Sequence, residues 1–169
     1  MLHRTALALI GLLVAWAVHA SPLPQLADYE AVGTATMRYF GFRIYDATLW
    51  SPGGTWSAGR PFALELRYAR SFDGASIARR SIEEMQSQRP YPKADLARWE
   101  QKMRAVFPDV KEGDRLIGVR IPGLGAAFYN STRKLGQIDD EAFADAFFNI
   151  WLHPSTRAPE LRAKLLGAA

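Results

Sequence analysis

The sequence predicts an α+β domain in which helices pack on one face of a mainly antiparallel β-sheet. The order of elements is the first indication, since extended segments precede two helices and further extended segments precede two more. Residues 62–68 alternate between apolar and polar side chains, which is the period of a strand with one buried face. Residues 96–107 carry apolar side chains at helical spacing, which predicts an amphipathic helix.

The first strands are predicted from residue type. Residues 30–40 and 42–50 are rich in aromatic and β-branched side chains, and Gly41 between them indicates a turn or bulge. A loop of Ser, Pro and Gly at 51–55 separates this pair from the strand at 62–68.

The helices and remaining strands have recognisable boundaries. Asp73 is predicted to cap a first helix, and a second helix follows Pro92. Two strands, 115–121 and 125–130, flank a Pro-Gly turn. A helix from Asp140 places four apolar residues on one side, which predicts packing against the sheet: Phe143, Phe147, Ile150 and Trp151. A short helix from Pro159 is expected to stop at Gly167.

Residues 1–20 have the features of a secretory signal peptide. Arg4 precedes an apolar run of about a dozen residues, too short for the roughly 20 that span a bilayer. Val18-His19-Ala20 has the small-residue spacing of a cleavage site after Ala20. We therefore expect export to the periplasm or beyond, one domain over 21–169, and no transmembrane span once the signal is removed.

Composition narrows the possible partners. The chain has no cysteine, so an exported form would depend on its core rather than on disulfides. Its 21 basic and 17 acidic residues give a formal charge of +4, but both signs are interleaved along the chain. Nucleic-acid binding favours a concentrated basic patch, so we expect no nucleic-acid partner. The sequence does not identify a protein partner.

Few residues could support catalysis or metal binding. His153 is the only histidine after residue 20, and its place at a helix end before Pro154 favours a structural role. The acidic run Asp139–Glu141 has the composition of a first helical turn and is interpreted as capping. Without cysteine, a zinc site of the usual nitrogen and sulfur ligands cannot be assembled. We expect no metal, no cofactor and no catalytic residue.

Two blocks of sequence resemble the bacterial chalcone isomerase-like proteins, which are related to chalcone isomerases and to fatty-acid-binding proteins of the same fold. The first is GTATMRYFGFRIYDATLW from Gly33 to Trp50. The second runs from Gly113 to Gly167, with its Gly-Asp-Arg-Leu opening, its Phe-Tyr-Asn strand and its Phe-Phe-Asn-Ile-Trp-Leu helix. The resemblance implies an open-faced sandwich, in agreement with the fold predicted from residue patterns.

The resemblance also indicates where a site would lie. In the family, an arginine on an early strand stabilises an enolate or, with a tyrosine, holds a carboxylate. Its position here, eight residues before Tyr45, is Met37, and the second tyrosine position is Trp50. The family's site helix supplies tyrosine, lysine and asparagine, whose positions are occupied here by Ile77, Arg80 and Glu84. The resemblance thus implies the fold without the catalytic residues.

Two arginines close to Met37 in the sequence could replace the positive charge of the family's arginine. Arg38 is one residue away and is expected on the other face of the strand. Arg43 is two residues before Tyr45, and residues two apart share a face of a strand. It would therefore face the site if the strand ran on without a turn at Gly41. The alternative interpretation, which we favour, is that both are exposed strand residues.

Three functions stay open at this point. The first is a non-catalytic domain that binds a small amphipathic ligand, lipid-like or phenolic, or a partner protein. The second is an isomerase or lyase acting on a chalcone-like enone, and the third is an envelope interaction protein without a small-molecule site. The residues predicted to line a ligand cleft are Met37, Arg43, Tyr45, Trp50, Tyr68 and Tyr129.

Overall fold

The computed structural model describes residues 23–168, which form an open six-stranded antiparallel sheet with each strand beside its neighbours in sequence. The strands are β1 (Tyr29–Tyr39), β2 (Phe42–Pro52), β3 (Phe62–Tyr68), β4 (Arg115–Ile121), β5 (Gly125–Tyr129) and β6 (Lys134–Ile138). The helices are α1 (Gly74–Gln88), α2 (Lys93–Val106), α3 (Glu141–Leu152) and α4 (Pro159–Leu165). A short 3₁₀ helix, Pro24–Leu26, precedes β1.

All four helices contribute to one core on a single face of the sheet, which we call the helix face. The sheet presents apolar side chains of alternate residues to this core, as the period of two requires. Among the fully buried side chains are Leu49, Met85, Met103, Phe128, Phe143 and Leu165. The predicted α+β architecture with helices on one face is therefore confirmed.

A smaller apolar cluster covers part of the opposite face, which we call the outer face. Leu23 and Leu26, at either end of the 3₁₀ segment, pack there against a group from three strands: Trp50, Ala63, Ile117 and Val119. The chain before β1 thus turns back across the sheet and shields this part of the outer face from solvent.

Strand β6 was not predicted from the sequence. Its residues Lys-Leu-Gly-Gln-Ile are not rich in the aromatic and β-branched types that favour strands. The strand lies at the edge of the sheet and buries only Ile138, so few of its side chains need to be apolar. Asn130, the predicted end of the previous strand, instead makes the turn: its side-chain oxygen accepts from the backbone N–H groups of Thr132 and Arg133 at 2.9 Å.

The last helix packs against the first strand. At Gly33 of β1, an added Cβ would collide with the backbone carbonyls of Lys164 and Leu165, so only glycine permits this close approach. Leu165 is fully buried in the helix-face core. The two ends of the fold are therefore held together by direct backbone packing.

The predicted signal peptide, residues 1–20, and its cleavage site lie outside the described residues. Within 23–168, none of the helices has both the length and the apolar character needed to cross a bilayer.

The turn between β1 and β2 has an unusual residue in it. Phe40 and Gly41 are the two central residues, with φ of 47° and 80°, the signs that a type I′ hairpin requires. Asn-Gly is the preferred pair there, whereas a bulky side chain in the left-handed region is strained. The turn predicted at Gly41 is confirmed, but the residue before it is not one that the turn favours.

Replacing Phe40 should separate this strain from the side chain's other contacts. Phe40→Asn and Phe40→Ala both remove the ring, but asparagine tolerates the left-handed conformation better. We expect Phe40→Asn to be more stable than Phe40→Ala by about 1 kcal/mol, or about 3 °C in melting temperature. Thermal denaturation of the two variants measures this difference, and equal melting temperatures would show that the turn relaxes without strain.

Asp140 joins α2 to the start of α3. Its carboxylate accepts from the Phe143 N–H at 2.9 Å, from Trp99 Nε1 at 2.9 Å and from the Arg98 guanidinium at 3.1 Å. Burial alone would raise the pKa of Asp140, but these three hydrogen bonds outweigh it and hold the pKa below its ordinary value of 3.8. The predicted capping role is confirmed, and the same carboxylate also fixes the two helices together.

Asp140→Asn should therefore destabilise the fold in a pH-dependent way. Asparagine can still cap α3, but its amide cannot accept from both Trp99 and Arg98, at a cost of about 1 kcal/mol at neutral pH. Because the folded pKa is depressed, the stabilisation exists above the unfolded pKa and disappears as the pH falls through the folded value. Urea denaturation at neutral pH and near pH 3 should thus show the difference from wild type narrowing in acid. Among the described residues, Asp139 accepts only from the Gln137 side chain, so Asp139→Asn is the matched control and should change the free energy of unfolding little.

Candidate ligand-binding site

Three of the predicted site residues lie in a row across the helix face. In the strand register, Met37 of β1 is opposite Tyr45 of β2, and Tyr45 is opposite Tyr68 of β3. Directly opposed residues share a face of the sheet, so the three side chains are neighbours. The Tyr45 and Tyr68 rings meet edge to face, with centroids 6.1 Å apart.

The two phenol groups of this row have unused hydrogen-bonding capacity. Tyr45 accepts a hydrogen bond from Trp151 Nε1 of α3 at 2.9 Å, which leaves its own hydroxyl proton available to donate. Tyr68 is 5% exposed, and its hydroxyl has no hydrogen-bond partner among residues 23–168. The hydroxyl oxygen is not one of the fully buried unpaired atoms of the described residues, so it is accessible and can take an incoming partner.

Both tyrosines are neutral phenols near pH 7, and burial extends the pH range over which they stay so. It raises the pKa of Tyr45 to about 12, although the Trp151 hydrogen bond acts in the opposite direction. Burial also raises the pKa of Tyr68, and neighbouring Tyr45 adds to the effect. Both groups are therefore phenols near neutral pH. They can donate hydrogen bonds to a ligand, but they are poorly suited to take up a proton as bases.

Charged residues of α1 and of the loop after α3 lie close to this row. Glu84 forms ion pairs with Arg80 at 2.5 Å and with Arg157 at 3.8 Å. Glu84 and Arg80 are near enough to Tyr45 to influence its pKa electrostatically. The arginine side chains are more than half exposed and that of Glu84 is 19% exposed, so Arg80, Glu84 and Arg157 form a polar rim at the surface near Tyr45.

Much of the space between the sheet and α3 is filled by aromatic side chains. Phe147 packs at 5.3 Å from Phe128 of β5 and at 5.3 Å from Trp151, measured between ring centroids. Phe62 and Phe148 meet at 4.9 Å in the same layer. Met37 and Tyr45, in the tyrosine row, lie at the edge of this core and are only partly buried.

The structure places Trp50 and Tyr129 on the outer face instead. Trp50 is buried there and donates from Nε1 to Glu65 at 3.1 Å, while Glu65 pairs with Arg115 at 3.2 Å. Tyr129 packs against the same outer cluster. The single cleft predicted from the sequence is thus divided between two faces. Trp50 is five residues from Tyr45, and an odd step along a strand reverses the face.

Arg43 also lies on the outer face, for a different reason. The register changes between Met37, opposite Tyr45, and Arg38, opposite Arg43, so Ile44 is an extra residue in β2. This bulge reverses the parity, and the expectation that Arg43 could share the face of Tyr45 is corrected. Its guanidinium instead pairs with Asp46, which also accepts from Thr36 at 2.7 Å.

Other residues singled out from the sequence have structural contacts. His153 ends α3, and its Nδ1 accepts from the Ser155 N–H at 3.0 Å. Glu141 pairs with the buried Arg120 at 2.8 Å. No cluster of His, Cys, Asp or Glu suited to a metal ion occurs in the part of the chain that the structure describes.

Sequence reasoning identified some of the surroundings of Tyr45 but gave one residue too small a role. Arg80 and Glu84 were aligned with the family's site helix, and they are near enough to Tyr45 to influence its pKa. Trp151 was expected only to pack, whereas its indole N–H also bonds to the tyrosine. Arg157 follows α3 in a loop whose residue types give no sign that it reaches α1.

Comparison with known proteins shows which family the chain belongs to and which solved structure has a similar fold. The profile described as chalcone isomerase-like matches residues 30–167. Among solved structures, a fatty-acid binding protein of Arabidopsis thaliana has a similar fold, with a TM-score of 0.66 and 9% sequence identity. The match covers 86% of this chain and 94% of that one. No curated protein matches the chain by sequence.

The family match covers most of the chain, and the solved structure shows the same open antiparallel sheet with its helices on one face. On this evidence the chain belongs to the chalcone isomerase-like family.

Proposed function

We propose that this protein is a non-catalytic, exported member of its family that binds a small amphipathic ligand beside Tyr45 and Tyr68. One observation carries the proposal: two neighbouring phenol groups with unused hydrogen-bonding capacity lie in a largely apolar layer next to a charged rim. A ligand with an apolar body and one polar end matches this arrangement.

The polar end of such a ligand would meet the tyrosines and the arginines together. Both hydroxyls can donate to a carboxylate or phenolate oxygen, and Arg80 and Arg157 can add charge from the rim. Glu84 pairs with both arginines, so an anionic ligand competes with it. The fold neighbour named as a fatty-acid binding protein supports a carboxylate as the first ligand to test.

The absence of catalysis in this proposal rests on the chain's own residues. Met37 stands where the family resemblance expects the arginine that stabilises an enolate, and Arg43 is on the other face. Both tyrosines are held as neutral phenols. Export is proposed from the signal-like segment 1–20 alone.

Ligand binding can be tested with two probes, laurate below its micelle concentration and an unsubstituted chalcone. At about one hundred times its dissociation constant, a bound probe should stabilise the fold by about 2.7 kcal/mol, a clear rise in melting temperature. Titration calorimetry then gives the affinity directly. The proposal fails if neither probe raises the melting temperature or gives a binding heat.

Site variants locate the binding. Tyr68→Phe and Arg80→Gln should each weaken laurate by about tenfold, the loss of one hydrogen bond to a charged group. Glu84→Gln should strengthen laurate, because it releases the two arginines. Arg79, on the same helix, donates a hydrogen bond to Ser76 and is not part of the rim, so Arg79→Gln is the matched control. Equal affinities across all four variants would place the ligand elsewhere.

The Tyr45–Trp151 hydrogen bond generates a separate prediction about stability. Tyr45→Phe leaves the Trp151 indole N–H without its acceptor and should cost about 1–2 kcal/mol. Tyr68→Phe removes a hydroxyl that has no partner in residues 23–168 and should be close to neutral. Urea denaturation of both variants compares two chemically identical changes on the same face, and equal losses would contradict the assigned hydrogen bonding.

A second candidate function is favoured by the aromatic filling between α3 and the sheet. If Trp151 and the phenylalanines leave too little space, the protein would act by binding a partner protein without a small molecule. Recovery of the protein free of small molecules, with no response to either probe, supports this candidate over the first.

A further inference from the structure

The tip of the β1–β2 hairpin exposes a group of aromatic side chains. Tyr39 is 58% exposed, Phe40 84% and Phe42 61%, within four consecutive residues. The rings of Tyr39 and Phe40 lie 4.5 Å apart, and an added side chain at Gly41 would meet only open space. Single exposed apolar residues are ordinary, but a contiguous aromatic patch at a protruding turn indicates a contact surface.

The conformation of Phe40 shows that the fold does not need this side chain. It occupies the left-handed position of a turn where asparagine or glycine fits without strain. It is also the most exposed large apolar residue in residues 23–168. A strained and exposed ring is evidence for a role outside the folded core.

Arginines surround the aromatic tip. The Arg70 guanidinium carbon lies 5.0 Å from the centre of the Phe42 ring, and Arg38 bonds to the Gly41 carbonyl at 3.3 Å. Arg43 is the third arginine. Its guanidinium pairs with Asp46, and Glu112 is near enough to help raise its pKa. Arg38 and Arg70 have no carboxylate partner among the described residues, so the tip carries net positive charge.

We propose that this hairpin tip docks on a lipid bilayer with anionic headgroups. Aromatic rings favour the boundary between headgroups and acyl chains, and arginines beside them pair with lipid phosphates. Arginine side chains can lay their apolar stems along the rings while the charged ends reach the headgroups. The combination of both residue types at one turn matches this surface, and the proposal is independent of the ligand site.

The absence of native cysteine makes a direct test possible. Tyr39→Cys and, at the opposite end of the sheet, Leu124→Cys each accept one environment-sensitive nitrobenzoxadiazole label. Leu124 is the matched control because it is also an exposed apolar residue in a turn. Vesicles of equal parts phosphatidylcholine and phosphatidylglycerol should shift the emission of the label at 39 to the blue and leave the label at 124 unchanged.

Variants in the labelled protein identify the contacts. Phe40→Asn with Phe42→Ser should weaken vesicle binding by about tenfold or more. Arg38→Gln and Arg70→Gln should weaken it by about fivefold each, and vesicles of phosphatidylcholine alone should bind less. Equal responses of the two labels would overturn the proposal, since binding would then come from another part of the chain, such as residues 1–20. A blue shift without vesicles that grows with protein concentration would also overturn it, in favour of contact between copies.

Discussion

The packing of one phenylalanine organises the helix face. Phe147, near the middle of α3, contacts rings from the sheet, from the end of α2 and from its own helix: Phe107, Phe128, Phe143, Phe148 and Trp151. Because these rings interlock at close-packed distances, α3 has little freedom to turn or slide. Its orientation then fixes where the Trp151 indole points, and so determines the partner of Tyr45.

This arrangement gives the two faces of the sheet different properties. On the helix face, the aromatic layer reaches Tyr45, whose hydroxyl accepts from the Trp151 indole. On the outer face, the cluster around Trp50 is small, and Arg38 and Arg43 lie opposite each other where β1 and β2 approach the hairpin turn. The helix face is therefore covered by the helices and their aromatic layer. The outer face instead carries a small apolar cluster beside charged pairs, including Arg43 with Asp46 and Arg115 with Glu65.

The sequence predicted this fold well where residue patterns are local. The strand at 62–68 and the capped helix after Asp73 lie where they were expected. The alternation in 62–68 did not predict that Glu65, on the other face, is also buried, beside Trp50. Strand β6 could not be found in this way, because an edge strand with one buried residue has no pattern of its own. Its existence depends on pairing with β5, which is a tertiary effect.

The candidate site was predicted in part, and the failures have a common geometric cause. Tyr45 and Tyr68, both predicted to line the cleft, are opposite each other in β2 and β3. Parity along a strand was used for the arginines near Met37. It failed for Arg43 because one extra residue at Ile44 reverses the face, and residue types do not reveal such a bulge. Contacts between distant segments, including Trp151 to Tyr45 and Arg157 to Glu84, depend on how the helices pack.

The close packing of α4 on Gly33 has a consequence for how the chain folds. The first strand of the sheet obtains its helical cover from the last helix, so this contact closes almost the entire length of the domain. During synthesis, β1 and β2 can pair early, yet their apolar side stays uncovered until α4 has been made. Completion of the fold is therefore a late, long-range event, and the partly synthesised chain is the form most exposed to aggregation.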